Sequence, residues 1–595
     1  MNLARRRANA LSTLPHAEAP QSPLTRFDAE PRETNLVGAL AHQLAQWGVE
    51  QSFGVSGGAI ALLFDALSES PINLRHFRHE TGAAFAACEA YFASGKPSVV
   101  FATTGPGLLN TLTGITAARW EGAKVVLISG HTNTGQRGRW ATQETSAYTL
   151  PQDALYSKGP IFDFAVRMEN TSELPTALQR IGAGLARPGG FIAHLCLPMS
   201  VQSGHLRRAA HPMPPASVPS IPDSSIAEIA SLLKREGFVI WAGFGATKAA
   251  PLVRELVERS DARVFCSARA KGVIPEDHPN YLGVTGIGGH EAVAEYMIQE
   301  RPRRTLVLGT RLGEATSFWD RDLLPSEGLI HVDLDPEVPG CAFPDFPTLP
   351  VNAEIECFLQ SLLKHFPVRK RRSAVSNVVP FKEPVANAKP SPRSPVRPQA
   401  LLDSIQRLVI DQTDALLLAE CGNSFAWTTH YLRFNDPGRY RVSTLFGSMG
   451  HTTAGVVGAA LASGKKAVAV VGDGAMLMNS EVSTAAQYGA PAVWIVLNDS
   501  GYGMCRDGHR ALGVSDSETT FPCVDFVVWA RSMGADGARV DTEDMLDVAI
   551  SEAMQSEAPF VIDVRIDVNE ASPLLKRFES LISQGGSKTV AGWAR

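Results

Sequence analysis

From Leu36 onward the apolar residues of the chain alternate between two patterns. At Leu36 to Trp47 they recur at helical spacing, and at Gln51 to Val55 they form a short run of strand length. The alternation continues with strand-like runs at Ser98 to Thr103, Lys124 to Ser129 and Phe191 to Leu197. A Pro-rich stretch from His211 to Pro222 interrupts it and predicts a domain boundary near 205 to 222. A second block carries runs at Phe238 to Ala242, Arg263 to Ser267, Thr305 to Leu308 and Gly328 to Val332. Basic residues and prolines without helical period fill 369–398 and read as an extended linker. A third block opens with a helix at Ala400 to Ile410 and continues with strands at Ala415 to Ala419, Ala467 to Val471, Val493 to Leu497 and Phe560 to Val564. Strand runs separated by helical patterns predict α/β domains with parallel sheets. The expected layout is a flexible tail at 1–33, domains at 34–205, 223–366 and 399–585, and a linker at 367–398.

Composition narrows the function. The 595 residues are 44% hydrophobic with a net charge of −5, so no strong field invites nucleic acid or an anionic membrane surface. The eight cysteines form no CxxC pair, which argues against structural zinc or a disulfide framework. No apolar run has the length of a membrane span. The Arg-rich start has something of an organelle transit peptide, but its amphipathic stretch is short, so a tail on a cytoplasmic protein is the expectation.

The most informative segment is VVGDGAMLMNSEVSTAAQYGAPAVWIVLNDSGYGM, residues 470–504. It reads as strand, Gly-flanked acid, helix, second strand and a polar turn with another acid. Parallel sheets gather ligand groups at the carboxyl ends of their strands, so Asp473 and Asp499 can meet at one pole. Two hard oxygen ligands suit Mg²⁺ that completes its shell with phosphate oxygens and water. Gly472 and Gly474 let the backbone approach such phosphates. Either tripeptide alone reads better as an ordinary turn between strands; the two at this spacing favour a shared site.

The GDG and ND pair resembles the motif of the thiamine-diphosphate enzymes of the pyruvate decarboxylase and acetolactate synthase superfamily. The resemblance implies a metal held by the Asp473 side chain, Asp499, where many members have Asn, and the Gly501 carbonyl. Two further segments are similar to the same family over the first and third blocks. In HETGAAFAACEAY followed by GPGLLN, Glu80 matches the glutamate that hydrogen-bonds the aminopyrimidine ring, although an acid at a helix start also has a plain dipole role. In GSMG, Gly447 matches the carbonyl that receives the pyrimidine amino group, and Met449 the apolar brace that bends the cofactor. Three doubly wound domains follow: pyrimidine-binding, central and diphosphate-binding. Active sites in this family lie between chains, which implies a homodimer or homotetramer.

The resemblance leaves the reaction to be chosen among fates of a decarboxylated 2-oxo acid. The turn FGVSGGAI resembles that of the acetolactate synthases through Gly57 and Gly58, with Ser56 in place of proline, and RWATQETSA resembles their FQE segment, which makes Gln143 a candidate active-site amide or else a polar residue of a surface loop. Lys158 occupies a place like a synthase lysine and reads equally as a surface lysine. The neighbouring His pair of the decarboxylases is missing, which favours capture by a second carbonyl compound over protonation. ECGNSFAW, residues 420–427, departs from the synthase pattern and reshapes the expected pocket. His451 and His509 are proton carriers or structural residues. Arg311 matches the first arginine of a flavin-contacting segment whose remainder is missing, so FAD stays open beside thiamine diphosphate and Mg²⁺. A carboligase of a 2-oxo acid and a carbonyl acceptor is the leading expectation. A simple decarboxylase or flavin-linked oxidase follows, and a non-catalytic cofactor-binding paralogue is the remote alternative.

Overall fold

The computed structural model describes residues 33–207, 211–368, 392–478 and 480–584. The expected tail, apart from its last residue, and most of the expected linker lie outside these residues. Three six-stranded sheets, every pairing parallel, form the frame.

The first sheet consists of β1 (Gln51–Gly54), β2 (Asn73–His76), β3 (Ser98–Ala102), β4 (Lys124–His131), β5 (Phe164–Arg167) and β6 (Phe191–Pro198), in the order β2-β1-β3-β4-β6-β5. In the middle, β7 (Phe238–Ala242), β8 (Arg263–Ser267), β9 (Tyr281–Thr285), β10 (Arg304–Leu308), β11 (Gly328–Asp333) and β12 (Thr348–Asn352) are ordered β9-β8-β7-β10-β11-β12. The third sheet repeats the first: β13 (Leu416–Ala419), β14 (Tyr440–Val442), β15 (Ala467–Gly472), β16 (Ala492–Asn498), β17 (Asp536–Val540) and β18 (Phe560–Arg565), ordered β14-β13-β15-β16-β18-β17. Runs such as AVAVVG in β15 and AVWIVLN in β16 are buried on both faces because helices cover each side of a parallel sheet.

The helix expected over Ala400 to Ile410 is shorter in its α part. It runs Pro398–Ile405 and passes into a π-turn at Gln406–Ile410, where Arg407 reaches Asp547 and Gln406 bonds the Arg433 backbone.

One core runs continuously from the middle domain into the third, and another from the first into the third. The second is built where helix Glu80–Ser94 crosses helix His451–Ser463. Their facing residues are mainly Ala and Gly, so the backbones come close. At Gly458 a Cβ would stand 2.1 Å from the Ala86 carbonyl oxygen, so only glycine permits the approach. Docking of the first domain on the third thereby sets where the segment before His451 lies.

Candidate active site

In a sheet of this order the chain crosses to opposite faces after the first and third strands, leaving a crevice beyond their carboxyl ends. The third domain places a cavity of about 240 Å³ there. Cys421 to Ser424 follow β13, Gly472 ends β15 and leads into Asp473 to Ala475, Asp499 and Gly501 to Asp507 follow β16, and Ile566 to Val568 follow β18; all line it, as do Gly447 and Met449.

Asp473 is almost fully buried and begins the short helix Asp473–Met476. Its Oδ1 accepts from the Gly474 amide at 2.7 Å and its Oδ2 from the Gly501 amide at 3.2 Å. Burial, and then the Asp499 charge, push its pKa up to about 7 against those hydrogen bonds. Asp499 follows β16 and accepts from Arg506 Nη2 at 2.6 Å through one oxygen, which leaves the other to a cation. At Gly474 a Cβ would meet the Tyr502 ring at 2.7 Å, so the GDG glycine is required sterically.

The helix Asn423–Tyr431 points its N-terminus at the same cavity. Asn423 Nδ2 donates to Asp507 Oδ2 at 3.1 Å, while its Oδ1 is buried without a hydrogen-bond partner; Arg506 Nε, also without a hydrogen bond, stands 3.9 Å from Asp507 Oδ1. Glu420, fully buried, accepts from the amides of Thr452 and Thr453 and so anchors the helix behind Met449. Arg506 and Tyr502 escaped the sequence reading, and Glu420 and Asn423 were included there only as part of the pocket segment 420–427, without roles of their own. Arg506 and Tyr502 were within reach of it, since they follow the NDSG turn directly and lie one helical turn apart.

The first domain builds a second cluster at its own equivalent crevice. Glu80 begins helix Glu80–Ser94, is 8% exposed, and accepts from Asn110 Nδ2 at 3.1 Å. A Cβ on Gly107 would be 3.4 Å from Glu80 and one on Gly57 would be 2.6 Å from Thr103, so the turn around Ser56, Gly57 and Gly58 meets the TGPG turn beside Glu80. Gln143, at φ +56°, lies over Gly105 and accepts from Thr104 Oγ1 at 3.4 Å. The exposed Ser56 amide donates to His76 Nε2, a neighbour the sequence reading did not name.

Neither Glu80 nor Gln143, nor the Ser56 to Gly58 turn, lines the cavity of Asp473. Lys158 is exposed. Arg311 is engaged elsewhere: its Nη1 donates to the Trp120 carbonyl at 2.8 Å, joining the middle domain to the first. His451 is buried against Glu89, and His509 bonds the Ser515 carbonyl at 2.9 Å.

The donor set fits a diphosphate with a hard cation. Two carboxylates repel at a cavity, the buried Asn423 Oδ1 has no hydrogen-bond partner, and the N-terminus of helix Asn423–Tyr431 faces inward. Comparison with known proteins agrees. Residues 34–150 match the N-terminal TPP binding domain of thiamine pyrophosphate enzymes, 226–362 their central domain and 420–564 their C-terminal TPP binding domain. The chain therefore belongs to the thiamine pyrophosphate enzyme family. Within it, the chain is 27% identical to a probable acetolactate synthase large subunit of Methanocaldococcus jannaschii, over 90% of this chain and 93% of the relative. It is also 27% identical to acetolactate synthase isozyme 1 large subunit of Escherichia coli K12, over 89% and 94%. A putative thiamine pyrophosphate-containing protein of Bacillus subtilis matches at 27% over 89% and 91%. The chain is thus a thiamine-diphosphate-dependent enzyme of acetolactate-synthase-like type.

Proposed function

We propose that this enzyme is a decarboxylating carboligase acting in the cytoplasm, joining the acyl unit of a 2-oxo acid to a second carbonyl compound. The observation that supports the reading is the pair of acids at the ends of adjacent strands β15 and β16, Asp473 and Asp499, which line one cavity, with Asp473 pushed toward neutrality by burial first and by the Asp499 charge second. Asp473, Asp499 and the Gly501 carbonyl would hold Mg²⁺, whose charge would offset the repulsion of the two acids, and the N-terminus of helix Asn423–Tyr431 would receive the diphosphate. Bound there, the cofactor supplies a nucleophilic carbon and an electron sink for decarboxylation.

The chain's own groups prepare the rest. Gly447 offers its carbonyl to the pyrimidine amino group and Met449 braces the bend. Glu80, sheltered and oriented by Asn110, holds the proton on the pyrimidine ring. Because Glu80 and Asp473 open onto different crevices of one chain, a complete site takes Glu80 from one subunit and Asp473 from another in a homodimer or homotetramer. Gln143, poised over the TGPG turn, presents its amide to the acceptor carbonyl. The first-domain turn around Ser56 to Gly58 shapes the acceptor pocket. This reading assigns no step to flavin; Arg311, the residue of the flavin-like segment, donates to the Trp120 carbonyl, and FAD stays open.

The test is to incubate the protein with thiamine diphosphate, Mg²⁺ and a panel of 2-oxo acids, with and without aldehydes, and to identify products by NMR and mass spectrometry. A hydroxyketone or acetohydroxy acid supports the proposal. Aldehyde alone assigns a decarboxylase, an acyl product with reduced flavin an oxidase, and tight cofactor binding without turnover a non-catalytic paralogue.

A further inference from the structure

Away from both crevices the three domains meet at one buried knot of charge. Glu89, on helix Glu80–Ser94, and Glu121, the last residue of helix Pro106–Glu121, come from the first domain. Arg269 comes from the middle domain and Arg441 from β14 of the third. All four are buried. Arg441 donates to both Glu89 oxygens at 2.9 and 3.0 Å, and Arg269 Nη1 stands 2.7 Å from Glu121 Oε2. The guanidinium of Arg441 lies 3.8 Å over the Phe92 ring and that of Arg269 3.9 Å over Phe244. Two positive and two negative charges thus close locally. Burial alone would raise the Glu89 carboxyl, but Arg441 and His451 hold it well below the usual carboxylate range. Cys88, Glu89 and His451 approach one another closely enough to suggest a metal. Yet Arg441 occupies both Glu89 oxygens and burial drives the thiol far from ionisation, so the group acts as an ionic clamp.

What the clamp holds is a single segment. Glu121 Oε1 accepts from Ser443 Oγ at 2.9 Å and from the Leu445 amide at 3.3 Å, and Ser443 Oγ in turn accepts from the Gly447 amide at 3.3 Å. At the far end Glu89 Oε1 accepts from His451 Nε2 at 2.9 Å, and the His451 ring packs 4.7 Å from Phe85. Between these fastenings lie Gly447, at φ +61°, and Met449, both in the cavity wall and outside any regular element. No sheet ladder fixes this stretch; the first domain's two carboxylates fasten its entry and exit, and Glu420 holds the amides of Thr452 and Thr453 just beyond.

We propose that Glu89 and Glu121 are positioning residues that preset Gly447 and Met449 for the pyrimidine half of the cofactor. The inference rests on the thiamine-diphosphate reading above and goes beyond it: the third domain's cofactor wall is held in place by the first domain of the same chain. The diphosphate half is anchored on other residues, at Asp473, Asp499 and Asn423, so the two halves of the ligand respond differently to a loosened clamp.

Calorimetric titration of the full-length protein with Mg²⁺ plus thiamine diphosphate, and separately with Mg²⁺ plus inorganic pyrophosphate, reads that difference. Glu89→Gln, Glu121→Gln and Ser443→Ala should each weaken thiamine diphosphate by about tenfold or more while pyrophosphate stays within about twofold. Ser443→Ala removes only the relay to Gly447 and leaves all four charges paired, so it decides the matter if a Gln variant does not fold. Glu276→Gln, which breaks a different buried pair with Lys271, should produce no selective loss. Equal weakening of both ligands in the clamp variants, or no weakening of either, overturns the proposal. Wild-type protein that binds pyrophosphate but not thiamine diphosphate overturns the cofactor reading, and the clamp with it.

Discussion

Glu481 sits in the third domain with no exposed surface, at the N-terminus of helix Glu80–Ser94 of the first. Its carboxyl accepts from the Arg78 amide at 3.3 Å, from the His79 amide at 3.1 Å and from Thr484 Oγ1. Burial dominates these bonds and pushes its pKa from 4.5 up to about 7. Because the folded state holds this proton more tightly than the unfolded chain, the contribution is fully present below pH 4.5 and is lost as the pH rises through 7. A rise of about 2.5 units corresponds to about 3 kcal/mol. Glu481→Gln keeps an acceptor for the two amides and carries no charge at any pH. The advantage of the variant over the wild type should grow from under about 1 kcal/mol near pH 5 to about 3 kcal/mol near pH 8. Urea unfolding followed by tryptophan fluorescence at fixed steps from pH 5 to 8 measures the difference, and titrations common to both proteins cancel. Two stability curves that run parallel across this range would refute the idea that Glu481 is held protonated. Since Glu80 begins the helix that Glu481 caps, the same experiment probes how firmly the proposed pyrimidine-binding acid is held.

Glu80→Gln should lower turnover by about 10²- to 10⁴-fold in steady-state assays while sparing most cofactor affinity, because the diphosphate contacts lie on the other domain. Asp473→Asn should raise the Mg²⁺ concentration for half-maximal cofactor binding by about 100-fold, read by calorimetry; unchanged Mg²⁺ dependence would remove it from the metal site. Gly458→Ala, whose Cβ would press on the Ala86 carbonyl at 2.1 Å, should cost about 1–3 kcal/mol and lower Tm in calorimetric scans.

The twelve strand runs legible in the chain coincide with the interior strands of the three sheets, whereas the six strands at the sheet edges were not evident as runs. An interior strand is covered on both faces and reads as continuous Val, Ile, Leu and Ala. An edge strand such as Asn73–His76 or Asp536–Val540 carries polar residues and loses that signal. The acids Asp473 and Asp499 were legible for a related reason: they follow interior strands directly, and parallel pairing of β15 with β16 makes their proximity nearly a local property. The sequence by itself therefore determined the α/β class, the three sheets, and the pole at which Asp473 and Asp499 meet in one cavity. Tertiary structure alone decided what joins them. Glu89 reaches Arg441 across 352 positions, Glu481 reaches His79 across 402, and Arg311 is drawn from a flavin-like motif to Trp120 across 191. A charged residue in a helical pattern has the same letter whether it faces water or a guanidinium in the core. Only the docking of one domain's surface on another settles which, because burial and partner, not residue type, set its energy.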